Sequence, residues 1–261
     1  MQRQRFYYLL EIQYLGYRLH GWQHQPGIKT VEGLVKKTLK FVLEDQRFKI
    51  LGASRTDAMV SAHEAAFELF IDDEPLQNMA DFLVVFNKNL PPDIRAISIK
   101  AVDEKFNIIQ HPKQKEYLYL FAFGRKSHPF AAPLLATFLE PLDLGLMMEA
   151  AKMFEGMHSF HNYCTKPTKN TVLKREIDCC EIVPNEEITA SFFPEKTYVL
   201  KVRGAGFLRN QIRLMMGSLV LVGRGELSLD DIQKSFFPEV SMPMNYIAPG
   251  SGLILNEIDF S

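Results

Sequence analysis

The strongest constraint on the fold is an interleaving of strand-like and helix-like runs whose connections are often too short for a parallel crossover. Residues 6–14, Phe-Tyr-Tyr-Leu-Leu-Glu-Ile-Gln-Tyr, are aromatic and branched and read as a strand ending near Gly16. Thr30 then precedes Val31, Leu34, Val35, Leu39, Val42 and Leu43, which predicts a helix with Thr30 as N-cap. Phe48 to Gly52 is a short strand, broken at Gly52-Ala53-Ser54. His63, Ala65, Phe67, Leu69 and Ile71 alternate along the next strand. A helix follows Pro75 to about Asn89, closed by Leu90-Pro91-Pro92, and strands are expected near 94–102 and 116–123.

The second half repeats this mixture. A helix is expected over Leu142 to Glu155, a strand over Thr171 to Val183, and a strand pair near 187–192 and 197–203. Gly206 to Val222 is the clearest helical run, stopped by Gly223 and Gly225. A short helix from Ser228 and a strand over Leu253 to Phe260 complete the pattern. Parallel pairing needs connections of roughly a dozen residues or more. The pattern therefore favours an α+β fold with a mostly antiparallel sheet and helices packed on one side. A weak division near 103–113 separates an N-terminal half, 1–112, from a C-terminal half, 113–261.

Composition excludes several classes. At 47% hydrophobic residues the 261-residue chain is too apolar for disorder. Three cysteines, Cys164, Cys179 and Cys180, form no CxxC pair, which suits a reduced, cytoplasmic protein. The apolar run 6–10 is too short for a signal-peptide core, and no segment is long and apolar enough to span a membrane.

The net charge of −1 hides unequal segments. Residues 1–60 carry ten Lys/Arg against five acids, whereas residues 61–112 carry four against nine. Residues 201–225 carry Lys201, Arg203, Arg209, Arg213 and Arg224 with no acid. Such basic segments leave a polyanion partner open despite the neutral total.

Three clusters could carry chemistry. In Ser54-Arg55-Thr56-Asp57-Ala58, a turn between strands can project Asp57 into a cleft, where a guanidinium keeps it ionised and nucleophilic. The same sequence also suits an ordinary ion-paired turn. In Gly204 to Arg213, Arg209 and Arg213 fall i,i+4 on one helix face without an acidic partner on that helix, so they need carboxylates from elsewhere, phosphates or water. In Lys115-Glu116-Tyr117-Leu118-Tyr119, the two tyrosines share one side of a strand, a geometry for base stacking and equally for core packing. Trp22 could be a base platform or a packing anchor. His158 and His161 lack a third ligand at metal-like spacing, and no Gly-rich phosphate loop or nucleophile elbow occurs.

Taken in order, these segments resemble the TruA family of tRNA pseudouridine synthases along nearly the whole chain. The resemblance rests on Tyr14-Leu15-Gly16-Tyr17, Gly21-Trp22-Gln23, Ser54 to Ala58 with Val60-Ser61-Ala62, and Tyr117-Leu118-Tyr119. It continues through Gly156 to Phe160, Phe207-Leu208 with Ile212-Arg213 and Gly217, Val222-Gly223, and Gly252-Leu253. It implies Asp57 as the catalytic aspartate, Tyr117 stacking on the target uracil, and Arg213 pairing with the aspartate. Arg55 would help to open the RNA stack and Leu253 would line the uracil pocket; Arg209, Phe207 and Trp22 complete the expected substrate contacts. It further implies two ferredoxin-like (RRM-like) halves sharing a central sheet, an RNA substrate (tRNA), a homodimer, and no metal, nucleotide or other cofactor.

Two departures stand out. Met59 replaces a glycine of the family pattern, which predicts a different path for the loop after Asp57. Phe106-Asn107-Ile108-Ile109 replaces a Phe-His-Ala-Arg segment and removes an RNA-facing basic patch. They motivate a competing reading, a non-catalytic RNA-binding or chaperone paralogue on the same scaffold. The surviving Asp57, Tyr117 and Arg213 oppose it, because binding a polyanion does not require a carboxylate. A small-molecule enzyme with Asp57 as acid/base lacks any cofactor loop.

Overall fold

A computed structural model describes residues 4–242 and 244–260. Met1 to Arg3, the start of the basic opening segment, lie outside the described residues, as do Pro243 and Ser261. The described chain contains five α-helices and eleven strands, with mostly antiparallel pairing. It divides into two compact units, Met1–Lys113 with Leu255–Ser261, and Gln114–Ile254.

Unit 1 runs β1 (Arg5–Tyr14), α1 (Val31–Val42), β2 (Phe48–Gly52), β3 (Ser61–Asp72), α2 (Met79–Asn89) and β4 (Ile94–Ala101). Strand β1 lies between β3 and β4, and β2 pairs with β3, all antiparallel. Thr30 caps α1 by accepting the Gly33 N–H at 3.2 Å, as its position predicts. Asn78 caps α2 through the Ala80 and Asp81 N–H groups, so this helix starts four residues after Pro75. The alternating face of β3 reads correctly at Ala65, Phe67, Leu69 and Ile71, but His63 at its beginning is exposed.

The segment 106–111 is built into the packing of unit 1. Ile108 is fully buried, and Phe106 packs edge-on against His111 and beside Phe260. The Ile108 N–H is donated to the carboxyl of Glu68, which sits on β3 with 2% exposure. Burial pushes the Glu68 carboxyl up, with the Ile108 bond and the charges of His111 and Lys49 opposing it. Its Oε1 has no hydrogen-bond partner among the described residues.

Unit 2 contains β5 (Gln114–Phe123), β6 (Ala136–Phe138), α3 (Leu144–Lys152), β7 (Gly156–Ser159), β8 (Lys174–Ile177), β9 (Cys179–Pro184), β10 (Tyr198–Gly204), α4 (Gln211–Gly223) and α5 (Leu229–Lys234). Strand β10 pairs antiparallel with both β5 and β9, and the short β6 runs parallel to β5. Leu118, Leu120, Ala122, Ala131, Leu135, Val199 and Ile254 form a buried cluster. Helix α4 buries residues on every side, as expected of a helix apolar all round. The last strand, β11 (Leu253–Asp259), begins in unit 2 with Leu253 and Ile254 and continues in unit 1 from Leu255.

Several expectations for unit 2 are corrected. The run 171–183 is two strands, because the Asp178 N–H turns to the Arg203 carbonyl at 2.8 Å. Strand β8 pairs with β7 and β9 pairs with β10. Residues 187–192 form no strand. Asn185 captures that backbone, donating to the Ile188 carbonyl at 2.7 Å and accepting the Ile188 N–H at 3.2 Å. Helix α3 is shorter than 142–155, starting after its cap Asp143 and ending at Lys152. Helix α5 starts where Ser228 predicts, with a capping box to Asp231. Among the described residues the three cysteines are free, and no helix is long and apolar enough to cross a membrane.

Candidate active site

Asp57 sits in the turn between β2 and β3, half-buried, on a backbone held through the residue before it. Thr56 is buried, its hydroxyl 2.8 Å from the Tyr14 hydroxyl on β1, and its carbonyl accepts the Trp22 N–H at 3.0 Å. Behind the turn the Val60 N–H bonds back to the Asp57 carbonyl at 3.2 Å and the Met59 N–H to the Leu19 carbonyl at 3.0 Å. Gly21 lies directly against this turn with φ +82°; a Cβ there would collide with the Thr56 carbonyl oxygen. The carboxylate is thus carried on backbone fixed from both sides.

Met59 corrects one expectation. Its φ is +67°, the left-handed conformation that a glycine favours. The methionine therefore keeps a glycine-like path and bears the steric cost, on the order of 1–2 kcal/mol.

Trp22 is 4% exposed, with its ring beside Tyr14 and Phe67 at centroid separations of 6.5 and 6.3 Å. This is the packing-anchor place, not that of a base platform. The indole is inside the wall while its backbone holds Thr56. Arg55, by contrast, is exposed.

In unit 2 the candidates lie on β5, in the segment before α4, in the first turn of α4 and at the start of β11. Tyr117 is 7% exposed and packs edge-to-face on Phe207, centroids 5.3 Å apart. Arg203 on β10 donates to Glu116 at 2.9 Å, on the opposite face of β5. Burial pushes the Lys115 ammonium down, two residues before Tyr117.

Arg213 lies in the first turn of α4. Its Nε donates to the Ala248 carbonyl at 2.7 Å and Nη1 to Asn210 Oδ1 at 3.3 Å, while its own carbonyl accepts the Ala248 N–H at 3.1 Å. The next residue, Pro249, accepts the buried Tyr119 hydroxyl at 2.8 Å. Burial pushes that phenol well up, opposed by the charge of Arg213. Gly252 then passes so close to β5 that a Cβ would stand 2.9 Å from the Tyr119 ring and 2.7 Å from the Leu120 carbonyl. Leu253, buried at 5% exposure, follows at the start of β11. The chain 248–253 is thus seated between the α4 arginine and the β5 tyrosine.

Arg209 is not on the helix. Helix α4 begins at Gln211, because Asn210 takes the left-handed conformation at φ 60° and the Gln211 side chain accepts the Leu208 N–H at 2.8 Å. Asn210 is braced by a 2.7 Å bond to Thr165, and Arg209 is exposed in the preceding turn. Its i,i+4 pairing with Arg213 on one face does not form. Tyr14, Thr56, Asn210 and residues 248–252 were not foreseen as neighbours of the candidate residues. Only Tyr14 and Thr56 left a trace in sequence, as polar residues at apolar-facing positions.

No group of three His, Cys, Asp or Glu suited to a metal occurs among the described residues. His158 instead stacks on Phe236 at 4.3 Å, and His161 bonds the Val240 carbonyl at 2.9 Å.

Comparison with known proteins gives the enzyme class. A family model described as tRNA pseudouridine synthase matches residues 150–261. The tRNA pseudouridine synthase A of Dictyoglomus thermophilum is 31% identical over 253 residues, covering 96% of this chain and 98% of that protein. The tRNA pseudouridine synthase A 2 of Bacillus anthracis is 29% identical over 254 residues, covering 97% and 99%. The tRNA pseudouridine synthase A of Staphylococcus aureus is 29% identical over 250 residues, covering 96% and 90%. The protein is thus an isomerase of the pseudouridine synthase class. The chain belongs to the TruA family.

Proposed function

We propose that the enzyme isomerises uridine to pseudouridine in tRNA without a cofactor, with Asp57 carrying the chemistry. The observation behind this reading is the Asp57 turn, fixed through Thr56 by Tyr14 and Trp22, in a chain similar to tRNA pseudouridine synthases over almost its whole length.

The reaction sets the roles. The N1–C1′ glycosidic bond of the uridine breaks, the uracil turns, C5 bonds to C1′ and loses its proton, and N1 gains one. The base first leaves its stack, at a cost of about a few kcal/mol. Asp57 acts as the ionised carboxylate, at the ribose or the uracil ring. The family resemblance gives Arg213 the role of pairing with the aspartate, since a nearby guanidinium favours a charged carboxylate. Tyr117 stacks on the target uracil, with Phe207 buttressing its ring. Leu253 lines the uracil pocket, Arg55 helps to open the RNA stack around the target and Arg209 contacts the RNA, both arginines being exposed. Trp22 serves by holding Thr56.

The β-α-β-β-α-β order of unit 1, with β1 between β3 and β4, supports the ferredoxin-like reading of that half. The family resemblance extends the proposal to a cytoplasmic homodimer, checked by sedimentation of the purified chain. The glycine-like backbone of Met59 removes one of the two grounds for a non-catalytic paralogue.

The test is a pseudouridine map of total tRNA and rRNA from cells lacking the gene, complemented with wild type or Asp57→Asn. Loss of a tRNA site that only the wild type restores is expected. Restoration by Asp57→Asn would refute the role of the carboxylate, and an unchanged tRNA map would refute the substrate.

A further inference from the structure

Away from these residues, unit 2 carries a surface of aromatic rings that the proposed reaction does not use. His128 and Phe130 meet edge-to-face at 4.9 Å, and Phe192 lies 6.2 Å from His128 and 6.1 Å from Phe130. Phe130 is 71% exposed and His128 is exposed, so the rings do not form a core. Phe192 and Phe193 are half-buried beneath them, packed on the cluster of Leu118, Leu120 and Val199. The platform is therefore mounted on the packed interior of the unit. The turn is fixed as well. The Phe130 N–H bonds His128 Nδ1 at 3.2 Å, and Ser127 bonds Thr137 at 2.7 Å.

The charge around the rings decides the kind of partner. Arg125 and Lys126, both exposed, immediately precede the platform, and residues 117–139 contain no acid. On the Phe192 side, exposed Lys196 follows Glu195. Flat π-faces beside cations suit a nucleobase with its flanking phosphates. An apolar protein partner would not require the cations, and rings already locked together lose little freedom on binding.

We propose that His128, Phe130 and Phe192 form a stacking platform for an unpaired base of the RNA substrate, with Arg125 and Lys126 on the adjacent phosphates. The assignment rests on the reading of the chain as an RNA-modifying enzyme, and adds a contact surface separate from the residues assigned to catalysis.

The test compares full-length wild type, Phe130→Ala and Phe130→Tyr for affinity toward an unmodified tRNA transcript and a single-stranded ten-nucleotide RNA. Loss of one stacked base predicts about tenfold weaker binding of both RNAs by Phe130→Ala, and less than about twofold for Phe130→Tyr. Arg125→Ala with Lys126→Ala should lower the slope of log affinity against log salt by about 1–2. Phe130→Trp adds an exposed indole to the buried Trp22, and its emission should be quenched by either RNA. Unaltered affinity in Phe130→Ala would overturn the platform. So would a change in its sedimentation without loss of RNA binding, which would assign the rings to a second copy of the chain. Absence of pseudouridine formation by the wild type, with RNA affinity still dependent on Phe130, would remove the catalytic reading and leave the platform standing.

Discussion

The Tyr14 hydroxyl on β1 stands 2.8 Å from the Thr56 hydroxyl, one residue before Asp57, and both groups are buried. A buried hydroxyl pair of this kind fixes a turn more tightly than packing alone, because neither group finds water if the turn moves. Tyr14→Phe should therefore cost about 1–2 kcal/mol in stability. It should also lower kcat several-fold while leaving KM for RNA near wild type, measured by urea unfolding and single-turnover product formation. A mutant with wild-type kcat would show that Thr56 needs no partner to hold Asp57.

Arg213 is fixed by two different nitrogens, Nε on Ala248 and Nη1 on Asn210. A lysine keeps the charge and loses this fork. Arg213→Lys is expected to fold and to form pseudouridine about tenfold more slowly, equivalent to one charge-assisted hydrogen bond. Wild-type turnover would reduce Arg213 to a generic cation.

Met59 gives a prediction of opposite sign. Since its φ of +67° already suits glycine, Met59→Gly relieves strain of on the order of 1–2 kcal/mol, offset in part by glycine's greater unfolded-state entropy. A gain of up to about 1 kcal/mol in unfolding free energy is expected, with activity retained. A loss of stability would mean that the Met59 side chain contributes more than its backbone costs.

Glu68 links stability to pH. Its carboxyl is raised by burial, so folding makes Glu68 hold its proton more tightly than in the unfolded chain. Stability from such a group is fully present below the unfolded carboxyl value and is lost as pH rises through the folded one. Glu68→Gln, which mimics the neutral form, should stabilise by about 1 kcal/mol at pH 7 and have almost no effect near pH 4. Equal effects at both pH values, read from denaturant midpoints, would contradict a raised carboxyl.

Much of the fold was legible because its signals are local. Thr30, Ser228 and the alternation of Ala65 to Ile71 each act within a few residues, and each reads correctly. The failures arise where a side chain competes with the backbone ladder. Asn185 takes the bonds of a would-be strand at 187–192, and Asn210 with Gln211 delays a helix expected from Gly206. Asp57, Tyr117 and Arg213 stand out in the sequence by residue type and motif, but what positions each of them does not. The Thr56–Tyr14 and Tyr119–Pro249 bonds span 42 and 130 residues, and no periodicity encodes such pairs. Trp22 was ambiguous for a related reason, since indole composition is the same in a wall and on a platform.

The division of β11 has a consequence for the order of synthesis. Leu255 onward belongs to unit 1, beside β3, and the Asp259 carbonyl accepts the Lys113 N–H at 2.8 Å. The first unit to leave the ribosome is thus the last to be finished, waiting with an open strand edge until the whole of unit 2 has been translated. Exposed edges of this kind recruit other chains. A nascent chain stalled before Leu255 would therefore be a target for chaperones or aggregation, although all of unit 2 had already been made.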